Sequence, residues 1–263
     1  MQENETELSG GNTSSVVRVG ETVHRAAGSW SVGVHALLLY LEKQSFHDAP
    51  KFLGVDEQGR EILTFIEGEV GNYPLAHYMW SDEVLVEVAH LIRHYHDATV
   101  GFAAPETARW QIEYQDRSQH EVLCHNDLAP YNTVYGDGKP YALIDFDNAG
   151  PGPRAWDLAH AAYRFVPLAH LNDPGMVRAG VTNIQTQGRR LQLFCDSYGI
   201  SARAVLEMVG PRVQALRSTI IERAAEGNSA FQKILTEGHL EHYERELADL
   251  RYHRAELETY LIS

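Results

Sequence analysis

The pattern of this 263-residue chain predicts an α+β protein of two lobes. Strand-like runs gather in the first 66 residues, helical periodicity dominates from Ser81 onward, and one short β island interrupts the helical part. The length suits one large domain or two small lobes sharing an interface, and it buries enough apolar surface to fold without a disulfide or metal staple.

Taken in order, Ser15-Val16-Val17-Arg18-Val19 and Glu21-Thr22-Val23-His24-Arg25 flank Gly20 and read as a hairpin. Val34, Leu37, Leu38 and Leu41 form the stripe of an amphipathic helix that runs to about Lys43. An extended piece from Pro50 to Val55 and a turn at Asp56-Glu57-Gln58-Gly59 lead to a strand, Glu61 to Ile66, that ends at Gly68. Ser81 is the expected N-cap of the next helix, with Asp82 and Glu83 in its first turn. The apolar runs Glu121–Cys124 and Tyr141–Ile144 bracket a turn at Gly136–Pro140, and are expected as a hairpin-like island. From Ala155 to the end the pattern is helical, closing on a stripe of Leu240, Tyr243, Leu247, Leu250, Leu257 and Leu261.

The 36 acidic and 22 basic residues leave a formal charge of −14, a field that repels phosphate backbones, so no nucleic acid partner is expected. Cys124 and Cys195 are too few for a disulfide framework and neither begins a Cys-x-x-Cys pair, which points to a reducing cytoplasm. Met1 to Gly11 has neither a basic nor an apolar leader region, and no run of about 18 apolar residues occurs, so no membrane association is expected.

The informative stretch is Cys124-His125-Asn126-Asp127-Leu128-Ala129-Pro130-Tyr131-Asn132, followed by Asp145-Phe146-Asp147 at the end of the next strand. An Asp and an Asn five apart on a loop, with an acidic pair brought alongside, suit phosphoryl transfer. That reaction needs a carboxylate to orient an incoming hydroxyl and accept its proton, and hard oxygen ligands for Mg²⁺ on the nucleotide phosphates. Asp127 suits the base, and Asn132 and Asp145 suit the metal. Asp147, two residues on in an extended segment, would project to the same face as Asp145. It reads either as a second metal ligand or as a carboxylate satisfied by backbone amides.

These residues resemble the catalytic loop and metal-binding segment of the aminoglycoside phosphotransferase and choline kinase family, relatives of protein kinases. Arg154-Ala155-Trp156-Asp157-Leu158-Ala159 is similar to the start of the family's following helix, and His96 falls where a leucine-histidine pair ends the preceding one. Gly10-Gly11-Asn12 resembles the nucleotide-covering loop, and Phe65-Ile66-Glu67-Gly68 the hinge that meets adenine through backbone groups. The resemblance implies a protein-kinase-like bilobal fold, with a small β-rich nucleotide lobe at 1–66, a hinge at 67–74 and a larger, mainly helical lobe at 75–263. It implies Asp127 as catalytic base, Asn132 and Asp145 as magnesium ligands, and Gly11, Asn12, Phe65 and Ile66 as nucleotide contacts. Asp157 would be a structural acid under the loop, and His125 a brace rather than a proton carrier.

Two departures stand out. Where the family carries a lysine in the second early strand this chain offers only Arg25, read as a phosphate contact or, failing that, as a surface arginine on an edge strand. The helix glutamate that would pair with it is missing, and His35 lies in the aligned region. The expected activity is ATP-dependent, or GTP-dependent, phosphate transfer to a hydroxyl of a small molecule. Six acidic residues against one basic between Glu67 and Asp97 suggest a cationic, aminoglycoside-like acceptor. The alternatives are a neutral metabolite or macrolide as acceptor, a nucleotide-binding module that has lost catalysis, and a metal-dependent hydrolase using Asp127, Asp145 and Asp147.

Overall fold

The computed structural model describes residues 5–8, 16–168, 177–178 and 180–261. The chain divides into two compact units, Met1–Tyr73 with Leu91–Arg154, and Pro74–His90 with Ala155–Ser263.

In the first unit, β1 (Glu5–Glu7), β2 (Val16–Val19), β3 (Thr22–Ala26), β4 (Phe52–Val55) and β5 (Arg60–Thr64) form an antiparallel sheet in the order β1-β2-β3-β5-β4. The β2–β3 hairpin turns at Gly20, whose φ of 58° costs glycine nothing for want of a Cβ. The turn before β5 is held by Asp56, whose Oδ1 accepts from the Gln58 and Arg60 N–H groups at 2.9 Å each. β3 is an interior strand, and its register with β5 places Arg25 directly opposite Glu61. Helix α1 (Ser31–Lys43) buries the expected stripe of Val34, Leu37, Leu38 and Leu41.

The rest of the unit contains β6 (Glu69–Val70), the last turns of α2 (Asp82–Thr99), β7 (Val122–Cys124), β8 (Thr133–Gly136), β9 (Lys139–Leu143) and β10 (Gly150–Gly152). The island is not a single hairpin of 121–124 on 141–144. The turn at Asp137-Gly138 joins β8 to β9 in a sheet of order β6-β8-β9, while β7 pairs with β10. The β10 strand is Gly-Pro-Gly, which carries no apolar alternation for a sequence reading to detect. Its glycines allow close approach instead: a Cβ on Gly150 would lie 1.9 Å from the Ile112 carbonyl oxygen.

The second unit is helical. The Ser81 hydroxyl accepts from the Val84 N–H at 3.2 Å, capping α2 as expected. It is followed by α3 (Arg154–Phe165), α4 (Ile184–Tyr198), α5 (Ala202–Ala225), α6 (Ser229–Thr236) and α7 (His239–Glu258). Asn183 caps α4 by accepting from the Thr186 N–H, and Gly199 at φ 87° ends it. Of the closing stripe, Tyr243, Leu247, Leu257 and Leu261 are buried and Leu240 and Leu250 half-buried.

Buried Arg190 ties the second unit together. Its guanidinium donates to the Val166 carbonyl (2.7 Å), to that of Phe165 at the end of α3 (3.0 Å), to that of Trp80 (3.0 Å) and to Asp82 Oδ1 (2.7 Å). Helix-end carbonyls lack intrahelical partners, and here one charged side chain serves them. Arg190→Met should lower unfolding free energy by about 3–5 kcal/mol, read from urea denaturation, because it strands these carbonyls and Asp82. Both cysteines are buried, and burial pushes the Cys195 thiol up to about 12. Neither thiol should react with a disulfide reagent near pH ~8 until the chain unfolds, since the thiolate is the reactive form.

Candidate active site

Residues 125–132 leave β7 as a loop and enter a short 3-10 turn, Pro130–Asn132, from which β8 departs. β9 pairs back on β8, and the Ile144 N–H donates to the Asn132 carbonyl at 3.0 Å, so Asp145 emerges next to the loop. Two side chains pin the segments together. His125 Nε2 donates to the Ile144 carbonyl at 2.9 Å while its Nδ1 accepts from the Asp127 N–H at 3.3 Å. One nitrogen must carry hydrogen and the other a lone pair, so this geometry calls for the neutral ring. Asn126 Nδ2 donates to the Asn148 carbonyl at 2.9 Å. Beneath them the buried Phe146 ring lies 4.7 Å from His125 and 5.6 Å from Tyr95, centroid to centroid.

The Asp127 carboxylate is held at both oxygens. Tyr131 donates its hydroxyl to Oδ1 at 3.0 Å, and Asn132 Nδ2 donates to Oδ2 at 2.9 Å and to the Asp127 carbonyl at 3.0 Å. Both amide hydrogens of Asn132 are thereby used on Asp127, which leaves its Oδ1 without a protein partner among the described residues.

Asp145 takes φ 63° and leads into a 3-10 turn at Phe146–Asn148, not the extended segment expected. The tight turn still brings Asp145 and Asp147 to one cation, and that cation is Arg25. Its Nη1 donates to Asp145 Oδ1 at 3.0 Å, its Nη2 to Asp147 Oδ1 at 2.5 Å, and its Nε to Glu61 Oε1 at 2.5 Å. Asp147 is therefore satisfied by a guanidinium rather than by backbone amides. Arg25 is 7% exposed on an interior strand, which overturns the reading of it as an edge-strand surface arginine.

The missing helix glutamate has a counterpart, and it stands on a strand. Glu61 on β5 binds Arg25 with one oxygen and His35 Nε2 with the other, at 2.5 Å. Nothing local in the sequence marks Glu61, because it meets Arg25 only through the β3–β5 register. Tyr131 is likewise absent from the expected set, although it lies within the 125–132 motif. Burial pulls the Arg25 guanidinium down, but Asp147, Asp145 and Glu61 reverse this and hold it above its ordinary range. Burial likewise pushes Glu61 up, and the hydrogen bond from His35 and the charge of Arg25 bring it below the usual carboxylate value. Asp147 is pushed up to about 6, chiefly by burial and further by Asp145 and Glu61, against the pull of Arg25.

Magnesium takes hard oxygen donors, one or two from side chains, with phosphates and waters filling the rest. Asn132 Oδ1 and the second oxygen of the 47%-exposed Asp145 carboxylate are donors of that kind with no protein partner among the described residues, so the set fits the ion. Among the described residues no three His, Cys, Asp or Glu side chains form a self-sufficient metal site.

The remaining expected residues are dispersed. The Phe65 N–H is committed to the Glu21 carbonyl at 2.8 Å and its ring lies under the Arg18 guanidinium, whereas the Ile66 main-chain groups have no hydrogen-bond partner among the described residues. Gly11 and Asn12 lie outside the described residues. Asp157 is fully buried in the first turn of α3, in the second unit. In the acidic run, Glu67 pairs with Arg18, Asp82 with Arg189 and Arg190, and Asp97 with Arg93 and Arg154. Those three carboxylates are engaged by arginine, while Glu83 and Glu87 stay exposed on α2.

Comparison with known proteins places the chain in a class. Its fold is that of kinase-like phosphotransferases. It covers 95% of its length against 89% of an amicoumacin kinase solved with AMP-PNP and Ca²⁺ (TM-score 0.66, 12% identity). A putative aminoglycoside phosphotransferase from Ralstonia eutropha JMP134 aligns over 95% of this chain and 92% of that one (TM-score 0.60, 13% identity). The gentamicin complex of the phosphotransferase APH(2″)-IIa aligns over 93% and 91% (TM-score 0.59, 14% identity). Residues 102–194 match the model of the phosphotransferase enzyme family, and a trifolitoxin immunity protein from Rhizobium leguminosarum bv. trifolii is 36% identical over 202 residues, 74% of each chain. The chain belongs to this phosphotransferase enzyme family, as its catalytic-loop motif led us to expect. No helix among the described residues is long and apolar enough to cross a membrane.

Replacing His125 by Leu keeps bulk but strands the Asp127 N–H and the Ile144 carbonyl. The variant should lose about 2–3 kcal/mol of unfolding free energy in chemical denaturation, whatever its activity.

Proposed function

We propose that the protein transfers the terminal phosphate of ATP to a hydroxyl of a small, amine-bearing, growth-inhibiting compound. The observation that carries the reading is the Asp127–Asn132 pair, which orients a carboxylate while leaving an amide oxygen for a cation, beside a segment that presents Asp145. Asp127 aligns the acceptor hydroxyl and takes its proton at a carboxylate oxygen as the new oxygen–phosphorus bond forms and the bond to the nucleoside diphosphate breaks. Tyr131 and Asn132 fix the carboxylate, so little reorganisation remains at the moment of transfer. Asn132 and Asp145 would hold Mg²⁺, which when bound neutralises charge on the phosphates. Arg25 supplies fixed positive charge to the phosphates, and the Ile66 main-chain groups, unpartnered among the described residues, would meet the base. His125 braces the loop, and Asp157 has a structural role in its own unit. In this reading 1–66 is the nucleotide lobe, 67–74 the hinge and 75–263 the helical lobe, and ATP is preferred with GTP as the alternative donor.

The immunity function in the name of the 36%-identical relative supports a toxic acceptor. Support for an amine comes from Glu83 and Glu87, which stay exposed while arginine engages Glu67, Asp82 and Asp97. The Arg25–Glu61 pair supports a working site over a degraded one, because a charge-bearing phosphate grip is retained.

Asp127→Asn should lower phosphate transfer by at least about a hundredfold while MgATP affinity, measured by calorimetry, changes by less than about threefold. Near-normal turnover in that variant would refute the assignment of the base. In a panel of hydroxyl-bearing antimicrobials and metabolites followed by mass spectrometry, a gain of one phosphate on amine-bearing compounds is expected. Transfer confined to neutral sugars or macrolides would refute the cationic acceptor.

A further inference from the structure

The arrangement around Arg25 explains why this chain can use arginine where its relatives' pattern calls for lysine. A guanidinium has five N–H donors in a fixed plane, and an ammonium has three. Three carboxylates surround the cation here: Glu61 on Nε, Asp145 on Nη1 and Asp147 on Nη2. A lysine would exhaust its donors on them. Arginine keeps one further N–H on each terminal nitrogen for a phosphate oxygen.

Those two N–H groups are useful only if the guanidinium plane is fixed, and Glu61 is placed to fix it. It lies opposite Arg25 in the β3–β5 ladder, is 1% exposed, and holds the Nε end of the fork. Its second oxygen is held by His35 Nε2, and the His35 ring is itself stacked on Phe52 of β4, 3.7 Å between centroids and 14° between planes. The chain from Phe52 through His35 and Glu61 to Arg25 is continuous and runs through one sheet and the helix packed on it.

We propose that Glu61, braced by His35, is the positioning residue that orients the Arg25 guanidinium toward the nucleotide phosphates, replacing the helix acid of the family pattern with a strand acid. This rests on the reading of the site as a nucleotide-phosphate site, and the test separates the two.

The probes are ATP and adenosine, titrated calorimetrically into the full-length wild type and variants in the presence of magnesium. In Glu61→Gln, which keeps shape and loses charge, ATP should bind about tenfold more weakly with adenosine affinity unchanged within about twofold. His35→Phe, which keeps the stack and removes the donor, should weaken ATP by a smaller factor, about threefold, again sparing adenosine. Glu61→Asp should recover part of the loss. Arg25→Lys should bind ATP as weakly as Glu61→Gln. Unchanged ATP affinity in folded Glu61→Gln, or equal losses for ATP and adenosine, would overturn the positioning role while leaving the phosphotransferase reading intact. Should Glu61→Gln fail to fold, His35→Phe decides by the same ratio. A wild type that binds adenosine and ATP equally would overturn both readings.

Discussion

The buried guanidinium of Arg25 is the constraint around which the first unit is organised. It joins the interior of the antiparallel sheet to the 145–147 turn that follows β9, segments more than a hundred residues apart in sequence. Burying a charge is costly unless it is paired and hydrogen-bonded, and here one cation meets three carboxylates. The surplus is negative, and it adds to burial, the larger cause, in pushing Asp147 up to about 6 although it touches the cation. A cluster with more acid than base is a receptive place for a further cation, and Asp145 keeps one oxygen and nearly half its surface open to receive it.

The 125–132 loop depends on a second set of constraints, made of hydrogen bonds. His125 donates from one ring nitrogen and accepts at the other, and Asn126 reaches across to the Asn148 carbonyl. Both Asn126 and Asp145 take left-handed backbone conformations, φ 64° and 63°. Asn and Asp tolerate that region better than other side-chain-bearing residues. At Asp145 the residue type that suits the chemistry also suits the turn.

The strong negative charge, read globally, was a poor guide. Much of the acid between Glu67 and Asp97 is engaged by arginines: Asp82 within the helical unit, Asp97 and Glu67 in the other. The acids proposed for the chemistry are few and are set apart by their hydrogen bonds rather than by their number.

Local patterns were legible in the sequence because they depend on near neighbours. The β2–β3 hairpin needed only Gly20 between two β-branched runs, the stripe on α1 only its helical period, and the Ser81 cap only its place before Asp82 and Glu83. Likewise the motif running from His125 through Asp127 and Asn132 to Asp145 was enough to show the family resemblance, since it lies along a short stretch of chain. Strand partnership was not legible, because β10 is Gly-Pro-Gly and carries no side-chain alternation to announce its pairing with β7. Nor was the partner of Arg25. A missing acid on the helix looked like a loss until the register of β3 with β5 set Glu61 opposite, and His35 on α1 turned out to hold that acid rather than replace it. The sequence by itself determined the local elements and the motif that places the chain in its family. The tertiary structure decided which acid serves which cation, because that depends on strand register and packing across long sequence separations, not on the identity of neighbours in the chain.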